Sequence, residues 1–308
     1  MDPAFAARYS TPQKFCDMTS NQALVHAQAV RPDNNHLLET AVELVSTQES
    51  PNFEQDVVDL LTVLLAKEVY PHLTGNVHAQ TSPSAAHDTQ KTVDHARKLV
   101  SLFAEQAANR TRNRVCIKIP AAPESLLACR DLQSEGIQTL ATCLFSLPQA
   151  VAASQAGCVY VAPYFNELRV HFEQGLWKEY VDPKTEHPMS AVILNYSTVA
   201  SLLTPPSQVI ALTSLTPNHI TIGGPILDQL AALPALSLDS FAPPAAATAV
   251  VPHGDYLADN GALLRKAIAS DREVTRKLVD ALDIFGKKEM ETRQLVGAFV
   301  CHRLADDK

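Results

Sequence analysis

The sequence predicts an α/β fold, a (β/α)₈ TIM barrel with extra C-terminal helices, and three observations carry that prediction. Short apolar runs of two-residue period alternate along the chain with longer runs of helical period, and strands alternating with helices form parallel sheets. Seven strand-like runs and a helical tail suit a closed barrel better than an open sheet. The 308 residues are 46% hydrophobic and 19% charged, enough to bury one large core, although this length also fits two smaller domains. No GxGxxG and no GxxxxGK[ST] occurs, which removes the usual nucleotide-binding reading of such a fold.

The elements follow in order. KFCDMTSN (Lys14 to Asn21) reads as the first strand, and a helix follows around Asn34 to Gln48 with Leu37, Leu38, Ala41, Val42, Leu44 and Val45 on its apolar face. Pro51-Asn52 starts a second helix, Phe53 to Val69. The strand Gly75 to Ser82 precedes a helix from about Asp88 to Ala108. RVCIKIPAA (Arg114 to Ala122) is the next strand, followed by a helix from Pro123 to Ser134 that Gly136 stops. The strand Ile137 to Phe145, the helix Pro148 to Ala156 and the strand Cys158 to Phe165 come next. The spacing then predicts a helix near Ala191 to Leu203, a strand Gln208 to Leu215 and a last strand His219 to Gly224. Residues 234–254 are Pro- and Ala-rich and read as a long loop, 1–13 as an N-terminal arm, and 259–308 as C-terminal helices. One barrel domain over 1–308 is the expected organisation.

The strand around Lys118 is the most informative stretch. Val115, Ile117 and Ile119 alternate with Cys116 and Lys118, so an ammonium stands in an apolar strand. That placement is costly unless the lysine works as an uncharged amine, and a desolvated amine condenses with ketones to give a Schiff base. A solvent-facing or carboxylate-paired lysine is the alternative. If Lys118 points inward, the two-residue period puts Gln80 with His78 inside, Thr142 with Leu140, and Tyr164 with Ala162. An amine, an amide, a hydroxyl and a phenol on one side make a proton-handling site around an imine.

A formal charge of -8 and a pI near 5.7 argue against nucleic acid and anionic membrane as partners. No run of about 20 apolar residues is present. MDPAFAARYS lacks the apolar core of a signal peptide, and six cysteines stand without CxxC spacing, so buried thiols in a cytoplasmic protein are expected. His187, His219, His253 and His302 have no metal-ligand spacing, so neither a metal nor a cofactor is implied. Trp177 packs a loop or covers a pocket mouth. Gly223-Gly224 reads as a turn device.

Several motifs, in order, resemble the transaldolase family. KFCDMTSNQALV is similar to its DATTNPSL segment, with Asp17, Thr19, Ser20, Asn21 and Leu24 matching. VCIKIPAAPES resembles its Schiff-base strand, EGIQTLATCLFSLPQAVAASQAG the strand and helix that follow, VAPYFNEL the next strand, and DREVTRKLVDALDIFGKKEMET the C-terminal helix. The resemblance runs from about Tyr9 to Leu295. It implies a barrel of the class I aldolase type in which Lys118 forms the imine with a ketose or dihydroxyacetone unit. Asn21 would bind the donor hydroxyl, Thr142 would position a water, and Thr19 and Ala162 would line the substrate. Where transaldolases place a glutamate in the third strand, this chain has Gln80. Together with Thr142 and Tyr164, that resembles the water-holding set of the fructose-6-phosphate aldolase branch. Loss of the catalytic acid is the competing reading.

The departures are as specific. The family opens with a strand ending in an aspartate, and the residues before Asp17 hold only Asp2 as an acid, so a shortened or missing first strand is expected. The phosphate-binding cations of the family fall on Glu167 and Leu215, with Arg169 two residues on as a substitute. The short stretch Gln208 to Ile222 leaves little room for the usual helix between strands seven and eight. These features imply transaldolase-like chemistry on a small ketone or sugar, with phosphate recognition lost and a homodimer as assembly. A non-catalytic scaffold or regulatory relative, and different imine chemistry in a specialised pathway, remain the alternatives.

Overall fold

The computed structural model describes residues 15–106, 114–194, 199–200, 206–234 and 252–306. The N-terminal arm and nearly all of the 234–254 loop therefore lie outside the described residues, and with them the question of a first strand before Phe15. The chain falls into two compact units, one within Met1–Ala85, Gln90–Lys118 and Asp283–Lys308, the other within Ala86–Thr89 and Ile119–Leu282.

Strand β1 (Met18–Thr19) leads into α1 (Gln22–Ala29), α2 (Asn35–Ser46) and α3 (Phe53–Val69). Strands and helices then alternate as β2 (Val77–Gln80), α4 (Thr89–Gln106), β3 (Val115–Pro120), α5 (Pro123–Ser134), β4 (Gln138–Leu144), α6 (Leu147–Gln155) and β5 (Tyr160–Pro163). The short helices α7 (Pro183–Glu186) and α8 (Pro188–Leu194) precede β6 (Val199–Ala200), α9 (Pro206–Thr213), β7 (His219–Ile220) and α10 (Gly224–Ala231). Helices α11 (Ala258–Ser270) and α12 (Arg272–Asp306) complete the described chain. Strands β1 to β5 form a five-stranded sheet in sequence order, and β6 with β7 a separate pair. The pairings β1–β2, β2–β3, β4–β5 and β6–β7 are parallel, as helical crossovers require. Among the described residues no helix is long and apolar enough to cross a membrane.

Two predicted elements are overturned. Gln208 to Leu215 is not a strand: Pro206 opens helix α9, which runs to Thr213, and Leu215 follows in a turn. The run VIAL (Val209 to Leu212) is apolar throughout, so periodicity cannot separate a strand from a helix there. Proline at the first helical position is the signal that decides it. The strand of this region is instead β6, inside the stretch expected as a helix from Ala191 to Leu203, and α9 is a helix between β6 and β7 in a stretch expected to leave little room for one. The last strand is short, Gly223 capping α10 directly. The start of α11 departs from right-handed helix, Asp259, Asn260 and Gly261 all having positive φ.

In the first unit the apolar faces of α1, α2 and α3 meet, with Leu38, Ala41, Val57 and Leu61 at most 2% exposed and Val296 of α12 joining them. Each fully buried leucine contributes about 1.5–3 kcal/mol. A buried polar cluster lies in the same unit. Asp59, 3% exposed, holds the Lys98 amine at 2.5 Å and faces His95 Nε2 at 3.1 Å, while Lys98 also binds Asp56. Burial opposes ionisation of Asp59, but His95 and Lys98 outweigh it and hold the carboxyl below its usual range. Ser82 Oγ donates to Glu289 Oε2 at 2.7 Å, tying α12 to the end of β2. Burial pushes the Glu289 carboxyl up. Of the cysteines, Cys116, Cys129 and Cys143 are buried thiols as expected, whereas Cys16 and Cys301 are exposed.

Candidate active site

In the first unit the sheet register places Thr19 beside His78, His78 beside Cys116 and Gln80 beside Lys118. Residues paired in a parallel sheet share a face, so Thr19, His78, Gln80 and Lys118 stand on one face of it. Lys118 is 5% exposed, and its Nζ lies 3.3 Å from Thr19 Oγ1. Asn21 caps α1, its Oδ1 accepting from Leu24 N at 2.9 Å. His78 Nε2 lies 3.8 Å from Asp17 Oδ2, and the other oxygen of Asp17 accepts from Asn76 N at 2.6 Å.

Gln80 is held by a residue the sequence did not single out. Its Nε2 donates to Gln22 Oε1 at 2.7 Å, and Gln22 Nε2 in turn donates to Thr81 O at 2.9 Å. The Gln80 Oε1 is buried and has no protein partner among the described residues. A cavity of about 10 Å³, close to the size of one water, is lined by Ser20, Asn21, Gln22, Gln80 and Glu289 among others.

In the second unit Thr142 and Tyr164 are fully buried and joined, Thr142 Oγ1 donating to the Tyr164 oxygen at 3.1 Å. Burial pushes the Tyr164 phenol well above its usual range, and Cys143 adds to the effect. Near neutral pH Tyr164 therefore keeps its proton. The contact depends on an irregularity in β4. The β4–β5 register shifts between Ala141 and Leu144, and Cys143 takes a φ of 51°. A non-glycine residue there stores about 1–3 kcal/mol of strain and persists only if its surroundings hold it. Gln149 does so from α6: Nε2 donates to Cys143 O at 3.3 Å and Ala121 O at 3.0 Å, while Oε1 accepts from Phe145 N at 2.9 Å. The sequence offered no sign of this clamp beyond a polar residue in an apolar helix.

The positions expected to bind substrate divide. Ala162 is buried in β5. Glu167 is ion-paired, its Oε2 2.6 Å from Arg276 Nη2. Arg169 is engaged as well, bidentate to Glu173 at 2.9 and 2.6 Å and 3.5 Å from Asp280. Leu215 is 2% exposed.

A family model described as Transaldolase/Fructose-6-phosphate aldolase matches residues 1–295. The chain belongs to this family. Among curated relatives, it is 31% identical over 175 residues to a transaldolase of Fusarium oxysporum, covering 56% of this chain and 53% of that protein. A transaldolase of Shewanella woodyi is 30% identical over 174 residues, covering 56% and 54%. A transaldolase of Shewanella sediminis is 28% identical over 227 residues, covering 70% of each chain. The chain thus spans about half the length of the first two relatives it matches.

Proposed function

We propose that this protein is a Schiff-base lyase or transferase of transaldolase type, acting on an unphosphorylated ketose or dihydroxyacetone-like donor. The supporting observation is Lys118, an amine 5% exposed in an apolar strand with Thr19 Oγ1 at 3.3 Å. In this reading the five-stranded parallel sheet is part of an eightfold barrel. The Lys118 amine attacks the ketone carbon, and the carbinolamine loses water to give the imine. The Nδ2 of Asn21 donates to the donor hydroxyl, its Oδ1 being committed to the helix cap. Gln80, Thr142 and Tyr164 hold the water that exchanges protons with the intermediate, as in the fructose-6-phosphate aldolase branch. Tyr164 supplies a proton rather than taking one, given its raised pKa.

The test is reductive trapping. Borohydride with dihydroxyacetone should fix one adduct on wild-type protein and none on Lys118→Met, read by intact mass. Equal labelling of the two would remove the imine chemistry. Tyr164→Phe should still be trapped yet turn over at least ~10²-fold more slowly, the scale of a lost general acid. An unchanged rate would take Tyr164 out of the reaction.

A further inference from the structure

The second unit holds a cleft of about 360 Å³ lined by Trp177, Glu179, Tyr180, Pro183, Gln208 and Gln229, with Ser207 at its edge. Its volume lies in the range of small-molecule sites, which combine flat apolar surfaces with a few convergent polar groups. The walls come from separate segments: the stretch before α7, the first turn of α9 and the end of α10. It is attached to the end of β5. Asn166 Nδ2 donates to Gln208 Oε1 at 2.8 Å. Phe165 stacks on His187 with ring centroids 3.8 Å apart, and His187 meets the Tyr180 ring edge-on at 4.9 Å. The residues following Tyr164 thus brace the cleft from behind.

The chemistry of the lining is specific. Two aromatic rings offer apolar surface for the C–H side of a sugar, the Gln229 amide and the Ser207 hydroxyl offer both donors and acceptors, and Glu179 offers an acceptor pair, while the Gln208 amide is engaged by Asn166 at both ends. No lysine or arginine is among those lining residues. Lys178 is engaged over the Tyr180 ring, 4.8 Å from its centroid. His187 behind that ring has its pKa lowered to about 4, by burial first and then by Lys277 and Lys178, so it carries no charge at neutral pH. Among the lining residues an anion would find one carboxylate, Glu179, and no cation.

We propose that this cleft binds an uncharged sugar or polyol, packed against Trp177 and Tyr180 and hydrogen-bonded by Gln229, Ser207 and Glu179. The inference goes beyond the transaldolase-type reading above and stands on the second unit alone. Its test does not depend on that chemistry. Trp177 is the sole tryptophan of the chain, so intrinsic emission reports on the cleft directly. A methyl pyranoside, which has no free carbonyl and forms no imine, should change the emission saturably, and its 6-phosphate should bind at least ~10-fold more weakly, one lost charge match being worth about that factor. Gln229 is exposed, so Gln229→Ala leaves the fold intact and should weaken the pyranoside at least ~5-fold. No saturable change, equal or tighter binding of the phosphate ester, or an unaltered Gln229→Ala titration would each overturn the proposal. Trapping at Lys118 is scored separately with dihydroxyacetone. A failed titration with successful trapping removes the cleft alone, and the reverse removes the imine alone.

Discussion

Lys98→Met should lower the free energy of unfolding at pH 7 by about 2–4 kcal/mol. Removing one partner of a fully buried ion pair costs ~3–5 kcal/mol, since the remaining charge is left uncompensated in a poorly polarisable interior. Here the lower part of that range applies, because His95 stays 3.1 Å from Asp59 and the Lys98 side chain is itself 36% exposed. The pH dependence follows from Asp59, whose carboxyl is held below its usual range in the folded protein. A depressed carboxyl contributes stability that is full above its unfolded pKa, near 3.9, and is lost as pH falls through the folded value. The difference between wild type and Lys98→Met should therefore be largest at neutral pH and shrink below about pH 4. Urea unfolding at pH 7 and pH 3.5 measures both ends. A loss below ~0.5 kcal/mol at pH 7 would show that the cluster behaves as an ordinary surface pair.

Neutral ketoses should be preferred over their phosphate esters, with phosphate binding weakened by ~10²–10⁴-fold relative to a site with two cations. A charge-assisted contact is worth ~1.5–3 kcal/mol, and two are affected. Glu167 stands where the family resemblance expects an arginine, and the nearby cations are already spoken for. Arg276 binds Glu167, Glu273 and Asp280, and Arg169 binds Glu173 and Asp280, so two guanidinium groups answer four carboxylates. The second expected cation position, Leu215, is an apolar side chain 2% exposed. Leu215→Arg would bury a charge and test folding instead of specificity. Glu167→Gln is the informative change, since it frees one contact of Arg276 and should move the turnover ratio toward the phosphate ester. Steady-state rates for matched substrates decide the matter. A wild-type preference of ~10-fold or more for the ester would mean that other cations have rebuilt the site.

The sequence by itself determined the parallel α/β architecture and the residues that share a face. Alternation at Val115 to Ile119 and at Val77 to Gln80 is a local property of the chain, and a strand has only two faces. The register of β2 with β3 then sets Gln80 beside Lys118. Helices with a clean apolar stripe, such as α2, and those with Pro at the start, such as α5, were legible for the same reason. Apolar runs without a period were not, and α9 was read as a strand because Val209 to Leu212 is apolar at every position and carries no pattern that separates the two conformations. Tertiary structure alone decided the partners of the polar groups. Gln22 on Gln80, Gln149 on the Ala121 carbonyl, Arg276 on Glu167 and Lys98 between Asp56 and Asp59 join residues from 28 to 109 positions apart. Hydrogen bonds and ion pairs act over about 3 Å in space and have no fixed spacing along the chain, so only the folded arrangement selects them.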